Sequence, residues 1–203
     1  MGRQVYDPQN KHQDIFAYVD NNGGKRTATL VVAAADSRDQ GRADYICSGE
    51  NDQQVLRTAI NALPGSGGKL LLLEGNYHLS SYGVPQEDNQ YHILDVVKPN
   101  ITIMGQGNST VLRFMDDQGE EDMNYCLIWA DAANFELRAL TLDGNSAGNS
   151  SGAVQGLHLT WAATGSEITN CRIINCRDCA IANLAEQAAI HNNRIAACQD
   201  GLR

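Results

Sequence analysis

Two aspartates in the second half of the chain, Asp178 and Asp200, are spaced by 22 residues. Paired carboxylates about 5 Å apart cleave glycosidic bonds in retaining hydrolases, and neighbouring strands of a sheet lie about 4.8 Å apart. On neighbouring strands, the two aspartates would form a candidate catalytic pair. His158 and His191 are candidate acids or bases, and Arg177 could bind a carboxylate. Aspartate is also an ordinary turn residue, so a structural role stays open.

Four aromatic residues could stack against sugar rings: Tyr82, Tyr91, Trp129 and Trp161. Tyrosine and tryptophan combine an apolar ring with a polar group, which suits a sugar surface. Each of them alone is more often a packing residue at the core or its rim. Tyr82 and Tyr91 belong to a long excursion, 80–91, and similar excursions follow at 115–124 and 145–154. Loops on a rigid scaffold are where binding residues concentrate.

The excursion 115–124 is acidic, with five carboxylates within seven residues. They could hold Ca²⁺, but their spacing matches no EF-hand loop. A solvated acidic loop is the favoured interpretation, and we assign no metal ligands and no cofactor. The motif Cys176-Arg-Asp-Cys179 lacks the second cysteine pair of a zinc site, so small buried thiols explain it better.

These residues must be positioned by a repeat that the second half of the chain contains. Four residues recur 22 positions later: Ile168, Asn170, Ile173 and Cys176 match Ile190, Asn192, Ile195 and Cys198. A small–aliphatic pair also recurs at Gly156-Leu157, Ala180-Ile181 and Gly201-Leu202, with a slight drift. The apolar bursts are too short for helices, and a fixed period of this length indicates stacked units. We therefore predict an all-β chain, a right-handed parallel β-helix of about 22 residues per rung, with Cys176 and Cys198 in one column.

The first half contains one predicted helix, about 51–63, with Asn51 as its N-cap and an apolar stripe on one face. A β-helix exposes apolar rungs at its end, and this helix can cover them. Short strands are expected at 69–77, 93–97, 101–104 and 111–114. Residues 1–27 do not share the repeat, so we divide the chain into an arm (1–27) and a β-helix domain (28–203). The arm either attaches to a partner or covers the open end.

Composition excludes several classes of function. A net charge of −9 and a pI of about 4.9 argue against nucleic acid, whose phosphates need a basic surface. No apolar run is long enough to insert in a membrane, and no signal peptide is visible at the start. Gly65–Lys69 departs from a phosphate-binding loop at several positions. Residues 201–203 begin a new rung, so we expect the native polypeptide to continue.

The chain resembles the pectate-lyase-like β-helix superfamily over roughly residues 28–203. The resemblance is carried by residues 44–52, 59–64, 67–69 and 73–77 and by the Asn-Cys-Arg-Ile repeats. More narrowly it is similar to tail fibre and tailspike proteins of phages and phage-like particles. That resemblance implies a structural or receptor-binding protein, a homotrimer attached to the tail or baseplate through the arm. Its ligand would be a bacterial surface polysaccharide, and its location a virion or particle assembled in the bacterial cytoplasm.

The same superfamily includes polysaccharide lyases, hydrolases and epimerases, so an enzyme that degrades or modifies polysaccharide is the alternative. The Asp-Asp and Gly-His-Gly signatures of polygalacturonase-like hydrolases are absent from this chain. So is the calcium–arginine arrangement of pectate lyases. The resemblance is therefore specific for the fold and leaves the activity open.

Overall fold

A computed structural model describes residues 28–81, 84–85 and 89–203. The predicted arm (1–27) and Tyr82 lie outside the described residues. The elements are, in chain order, β1 (Ala28–Ala33), β2 (Tyr45–Ile46), α1 (Gln53–Ala62), β3 (Gly68–Leu72), β4 (Gly75–Leu79), β5 (Val84–Pro85), β6 (Gln90–Val96), β7 (Ile101–Met104), β8 (Thr110–Phe114), β9 (Asn124–Ala130), β10 (Glu136–Arg138), β11 (Thr141–Asp143), β12 (Ala153–Leu159), β13 (Glu167–Thr169), β14 (Arg172–Ile174), β15 (Cys179–Asn183), β16 (Ala189–His191), β17 (Arg194–Ala196) and β18 (Asp200–Leu202), with short 3-10 helices at Gln40–Arg42 and Gly107–Ser109.

The strands form three sheets, and the chain visits them in rotation. Sheet 1 has the order β16-β13-β10-β7-β3-β1-β2, sheet 2 the order β17-β14-β11-β8-β4, and sheet 3 the order β18-β15-β12-β9-β6-β5. Every pairing is parallel except that of β5 with β6. From β3 onward each pass runs through sheets 1, 2 and 3 in turn. We call each pass a coil, and the last coil is β16–β18.

Like side chains stack in register from coil to coil. Ile168 pairs with Leu137 on one side and Ile190 on the other, and Ile173 pairs with Leu142 and Ile195. The predicted stacking of the repeat is thus confirmed. These aliphatic residues point inward because side chains alternate along a strand, and Leu137, Ile168 and Ile173 are fully buried.

The corner between sheets 1 and 2 needs a left-handed backbone. Asn170 and Asn192 adopt φ of 56° and 57° there, and Ala139 adopts 54° at the same place in an earlier coil. Asparagine tolerates this conformation better than most residues because its short polar side chain bonds locally. The repeated asparagine therefore sets the corner, which is the physical reason for its place in the repeat.

Three predicted boundaries are corrected. The helix begins at Gln53, with Asp52 at the N-cap position, while Asn51 has φ of 54° and lies outside it. The Asp52 carboxylate instead accepts hydrogen bonds from the Gly49 and His78 amides, at 2.9 and 2.8 Å. The predicted strand 69–77 is two strands, β3 and β4, which belong to different sheets. The apolar stripe is as expected, since Leu56, Ala59 and Ile60 are buried.

We expect Gly67→Ala to destabilise the protein. Gly67 has φ of +105°, and a Cβ there would lie 2.4 Å from the Asn100 carbonyl oxygen. Because the clash is with backbone and the conformation is strained for any other residue, the cost should be at least about 1–3 kcal/mol. Thermal unfolding measures it. Gly41→Ala is the matched control, since no atom lies within 4 Å of its added Cβ, and an equal loss in both variants would contradict the assignment.

Candidate functional site

The long connections all lead into sheet 3. Segments 80–89, 115–123 and 144–152 precede β6, β9 and β12, whereas 175–178 and 197–199 are short. The second and third are joined by Asn149, which is buried. Its Oδ1 accepts from the Gln118 and Gly119 amides at 2.8 Å each, and its Nδ2 donates to the Met115 carbonyl at 2.9 Å. The loops therefore form an ordered wall along one edge of sheet 3.

Three rings are piled on the outer face of sheet 3. Trp129 lies between His92 and His158, with ring centroids 3.7 and 4.1 Å apart. They come from β6, β9 and β12, where Trp129 and His158 are register partners. None of the three belongs to the apolar core cluster. The pile is therefore a surface feature of this sheet.

Each imidazole of the pile is held through its Nδ1. His92 Nδ1 lies 3.0 Å from Asp95 Oδ1. His158 Nδ1 lies 3.2 Å from Gln155 Oε1, and Gln155 Nε2 donates to Asp178 Oδ2 at 2.9 Å. Because the Gln155 oxygen can only accept, His158 carries its proton on Nδ1. Asp178 thereby fixes the orientation and tautomer of His158 through Gln155.

The Nε2 atoms of both histidines are buried and have no hydrogen-bond partner among the described residues. In a neutral imidazole protonated at Nδ1, Nε2 is a free acceptor. Burial, and secondly the neighbouring His92, lower the pKa of His158 below its ordinary value of 6.5. His158 is therefore neutral at pH 7 and able to accept a proton.

Asp178 and Asp200 converge on one cation. Arg203 Nη2 lies 3.0 Å from Asp178 Oδ1 and 2.7 Å from Asp200 Oδ2. The register pairs Asp200 with Cys179, so the aspartates are not directly opposite as the 22-residue spacing suggested. An arginine shared by both favours the ionised form of each carboxylate. A retaining hydrolase needs one of its pair protonated, so this arrangement does not favour hydrolysis.

A groove of about 760 Å³ opens beside the pile, where the loop wall meets β9 and β12. Its lining includes Glu121, Asp122, Ser151 and Arg177, and the Arg177 Nε donates to the Gly152 carbonyl at 3.1 Å. A narrow cleft of about 10 Å³ borders Tyr91, Trp129 and Gln155, and Asn124 lines both spaces. The volume of the groove lies within the range of ligand sites, about 300–1,000 Å³.

The structure brings His158, Trp129, Asp178 and Asp200 together, with Tyr91 and Arg177 nearby. Tyr91 stacks on buried Tyr125 at 5.4 Å and packs against the core, so less of it is free for a sugar. Trp161 stands apart in the turn after β12 and is 70% exposed.

His191 is not part of this site. It lies on the outer face of sheet 1, with Nε2 3.1 Å from Glu167 Oε1. Sequence reasoning missed His92, Gln155 and Arg203, because loops of unequal length separate His92, Trp129 and His158 and hide their shared face.

No three His, Cys, Asp or Glu side chains among residues 28–81, 84–85 and 89–203 converge as a metal site requires. In the acidic loop, Asp116 Oδ1 accepts from Asn145 Nδ2 at 2.6 Å and lies 3.5 Å from Arg113. The described helices include none that is long and apolar enough to cross a membrane.

Stability should depend on pH through His158. The unfolded chain protonates this residue near pH 6.5, but the lowered pKa means that the folded protein resists protonation. The contribution is therefore complete above pH 6.5 and is lost as the pH falls through the folded pKa. We expect urea unfolding midpoints to fall from about pH 7.5 to about pH 5, and the decline to be smaller in His158→Gln. An identical decline in both proteins would contradict the assigned burial cost.

No protein-family model matches the sequence, and no curated protein is detectably similar to it. Two solved structures are similar in fold, the A-modules of the mannuronan C-5 epimerases AlgE6 and AlgE4 of Azotobacter vinelandii. The AlgE6 module has a TM-score of 0.52 and 23% identity over 71% of this chain and 42% of its own. For the AlgE4 module the TM-score is 0.51 and the identity 21%, over 74% and 46%. The chain spans less than half of either module, and the likeness places its fold among the parallel β-helix proteins.

Proposed function

We propose that this protein is a right-handed parallel β-helix that binds a polysaccharide along the outer face of sheet 3 and modifies it. In this proposal α1 covers one end of the helix, and the arm lies beyond it. The observation that carries the proposal is the ring pile His92–Trp129–His158 beside the open groove. Structural likeness to two polysaccharide epimerase modules supports it.

Aromatic stacking explains how a sugar would enter the site. Trp129 is the one tryptophan on this face, but both faces of its ring are occupied by imidazoles. A sugar ring that stacks on the indole must take the place of one imidazole. If His158 yields, its Nε2 becomes free and meets the bound sugar. Binding and the uncovering of a proton acceptor are then one event.

The chemistry that fits is proton abstraction. Neutral His158 accepts the proton through Nε2, while Gln155 and Asp178 hold its Nδ1–H. Arg177 is exposed at the groove and is available for the carboxylate of an acidic sugar, which would acidify the adjacent C–H. Proton removal next to a carboxylate is the first step of both elimination and epimerisation. Hydrolysis fits less well because Arg203 engages both aspartates.

The tail fibre or tailspike role has no support in the structural neighbours and stays a prediction from the resemblance. The same holds for the homotrimer, the bound baseplate partner and the virion location. An acidic polysaccharide on a bacterial surface remains the proposed ligand.

The test is incubation with a panel of acidic and neutral polysaccharides. Three products are measured: new reducing ends for hydrolysis, unsaturated uronates for elimination, and inverted sugar residues by proton NMR for epimerisation. We expect unsaturated or inverted residues that are reduced in Asp178→Asn, because this change weakens the hold on Gln155. New reducing ends without unsaturation, lost in both Asp178→Asn and Asp200→Asn, would favour hydrolysis instead. Binding without any product would reduce the protein to a glycan-binding role.

A further inference from the structure

Two cysteines stack between the last two coils. Cys176 follows β14 and Cys198 follows β17, and the register that pairs Ile173 with Ile195 and Ile174 with Ala196 continues to them. The Gln199 amide donates to the Cys176 carbonyl at 3.2 Å, which holds the two segments together just beyond the cysteines. Both thiols turn toward the interior: Cys198 Sγ lies 3.8 Å from the Ile173 carbonyl, and Cys176 Sγ 3.6 Å from that of Ile174.

The two thiols differ in reactivity. Cys176 is buried and belongs to the core, whereas Cys198 is half-buried at its border. The hydrogen bond from the Cys176 thiol lowers the pKa of Cys198 to about 7, and the same contact raises the pKa of Cys176. About half of Cys198 is then thiolate at neutral pH, and the thiolate is the nucleophile in disulfide exchange. By contrast, burial raises the pKa of Cys171 and Cys179 to about 11.

We propose that Cys176 and Cys198 are an oxidisable pair that closes to a disulfide and ties the last coil to the one before it. Residues paired on adjacent parallel strands lie about 4.8 Å apart, within the Cα separation of about 4.4–6.8 Å that disulfides require. The step needs an oxidant, and a small-molecule disulfide such as oxidised glutathione supplies it.

The exchange proceeds in two balanced steps. The Cys198 thiolate attacks one sulfur of the oxidant, so a mixed disulfide forms and one glutathione thiolate leaves. Cys176 then gives its proton to solvent and attacks Cys198 Sγ, which releases the second glutathione thiolate. Two electrons pass from the cysteine pair to the oxidant, which ends as two thiols. Cys198 acts first because it is the more exposed and more ionised thiol.

The closed disulfide should stabilise the last coil. β16, β17 and β18 have mostly exposed side chains and pair with neighbours on one side only. A cross-link over 22 residues removes conformational freedom from the unfolded chain, and we expect Tm to rise by roughly 5–10 °C. The last coil should also become more resistant to proteolysis.

The experiment uses the intact protein in buffers that range from reduced to oxidised glutathione. Trypsin places Cys176, Cys179 and Cys198 on separate peptides, 173–177, 178–194 and 195–203, so non-reducing mass spectrometry identifies the partners. We expect 173–177 joined to 195–203, loss of two of the six thiols, and the rise in Tm. Cys198→Ser should abolish all three effects, and Cys179→Ser should leave them intact. Glutathione retained on Cys198 with Cys176 free, or a link through Cys179, would overturn the proposal.

Discussion

Replacing His158 with glutamine is expected to lower the rate of polysaccharide modification by about 10²–10⁴-fold, the usual contribution of a general base. Glutamine keeps a polar side chain that can bond to Gln155, but it cannot accept a proton at neutral pH. The loss should appear in kcat rather than in binding, because Trp129 and the groove are unchanged. Rates on the polysaccharide that the wild-type protein modifies are the measurement.

His191→Gln is the matched control for this prediction. His191 also bonds to a carboxylate, Glu167, but it lies on the outer face of sheet 1. We expect its activity to equal that of the wild type. A comparable loss in both variants would show that the substitution acts through folding. Full activity in His158→Gln would exclude His158 as the base and leave the pile with a binding role.

The second large effect concerns stability. Ile168→Ala should lower the free energy of unfolding by about 2–5 kcal/mol, because it removes buried methyl groups and leaves a cavity. Ile168 is fully buried between Leu137 and Ile190, so both neighbours in the column lose contacts. Denaturation in urea gives the difference directly.

Ile46→Ala makes the same chemical change at a side chain that is 52% exposed. Its cost should stay within about 0.5–1 kcal/mol, as for most surface substitutions. If the two variants lost equal stability, the column of stacked aliphatic residues would not be the core that stabilises the coils.

The sequence was most informative where coils are uniform in length. In β13–β17 the 22-residue repeat predicted the partners of Ile168 and Ile173 correctly. In sheet 3 the spacing falls to 21, so Asp200 pairs with Cys179 and not with Asp178. A one-residue change in a turn is invisible to a repeat of a few copies. It nevertheless decides which side chains share a face.

The candidate site was predicted only in parts. His158, Trp129, Asp178 and Asp200 were named individually from their chemistry. Their connections through Gln155 and Arg203 depend on register and on side-chain geometry, which spacing alone does not specify. His92 was missed because the undescribed and irregular segment before β6 interrupts the repeat, so nothing in the sequence places it beside Trp129.

The most direct test of the central claim is where the polysaccharide binds. The chain has two tryptophans: Trp129 lies in the ring pile, and Trp161 is exposed in a turn. Fluorescence titration with an oligosaccharide of the modified polysaccharide therefore reports the site when each is replaced in turn by phenylalanine. Binding on the outer face of sheet 3 requires the signal to persist in Trp161→Phe and to vanish in Trp129→Phe. A signal that persists in Trp129→Phe and vanishes in Trp161→Phe would contradict the account.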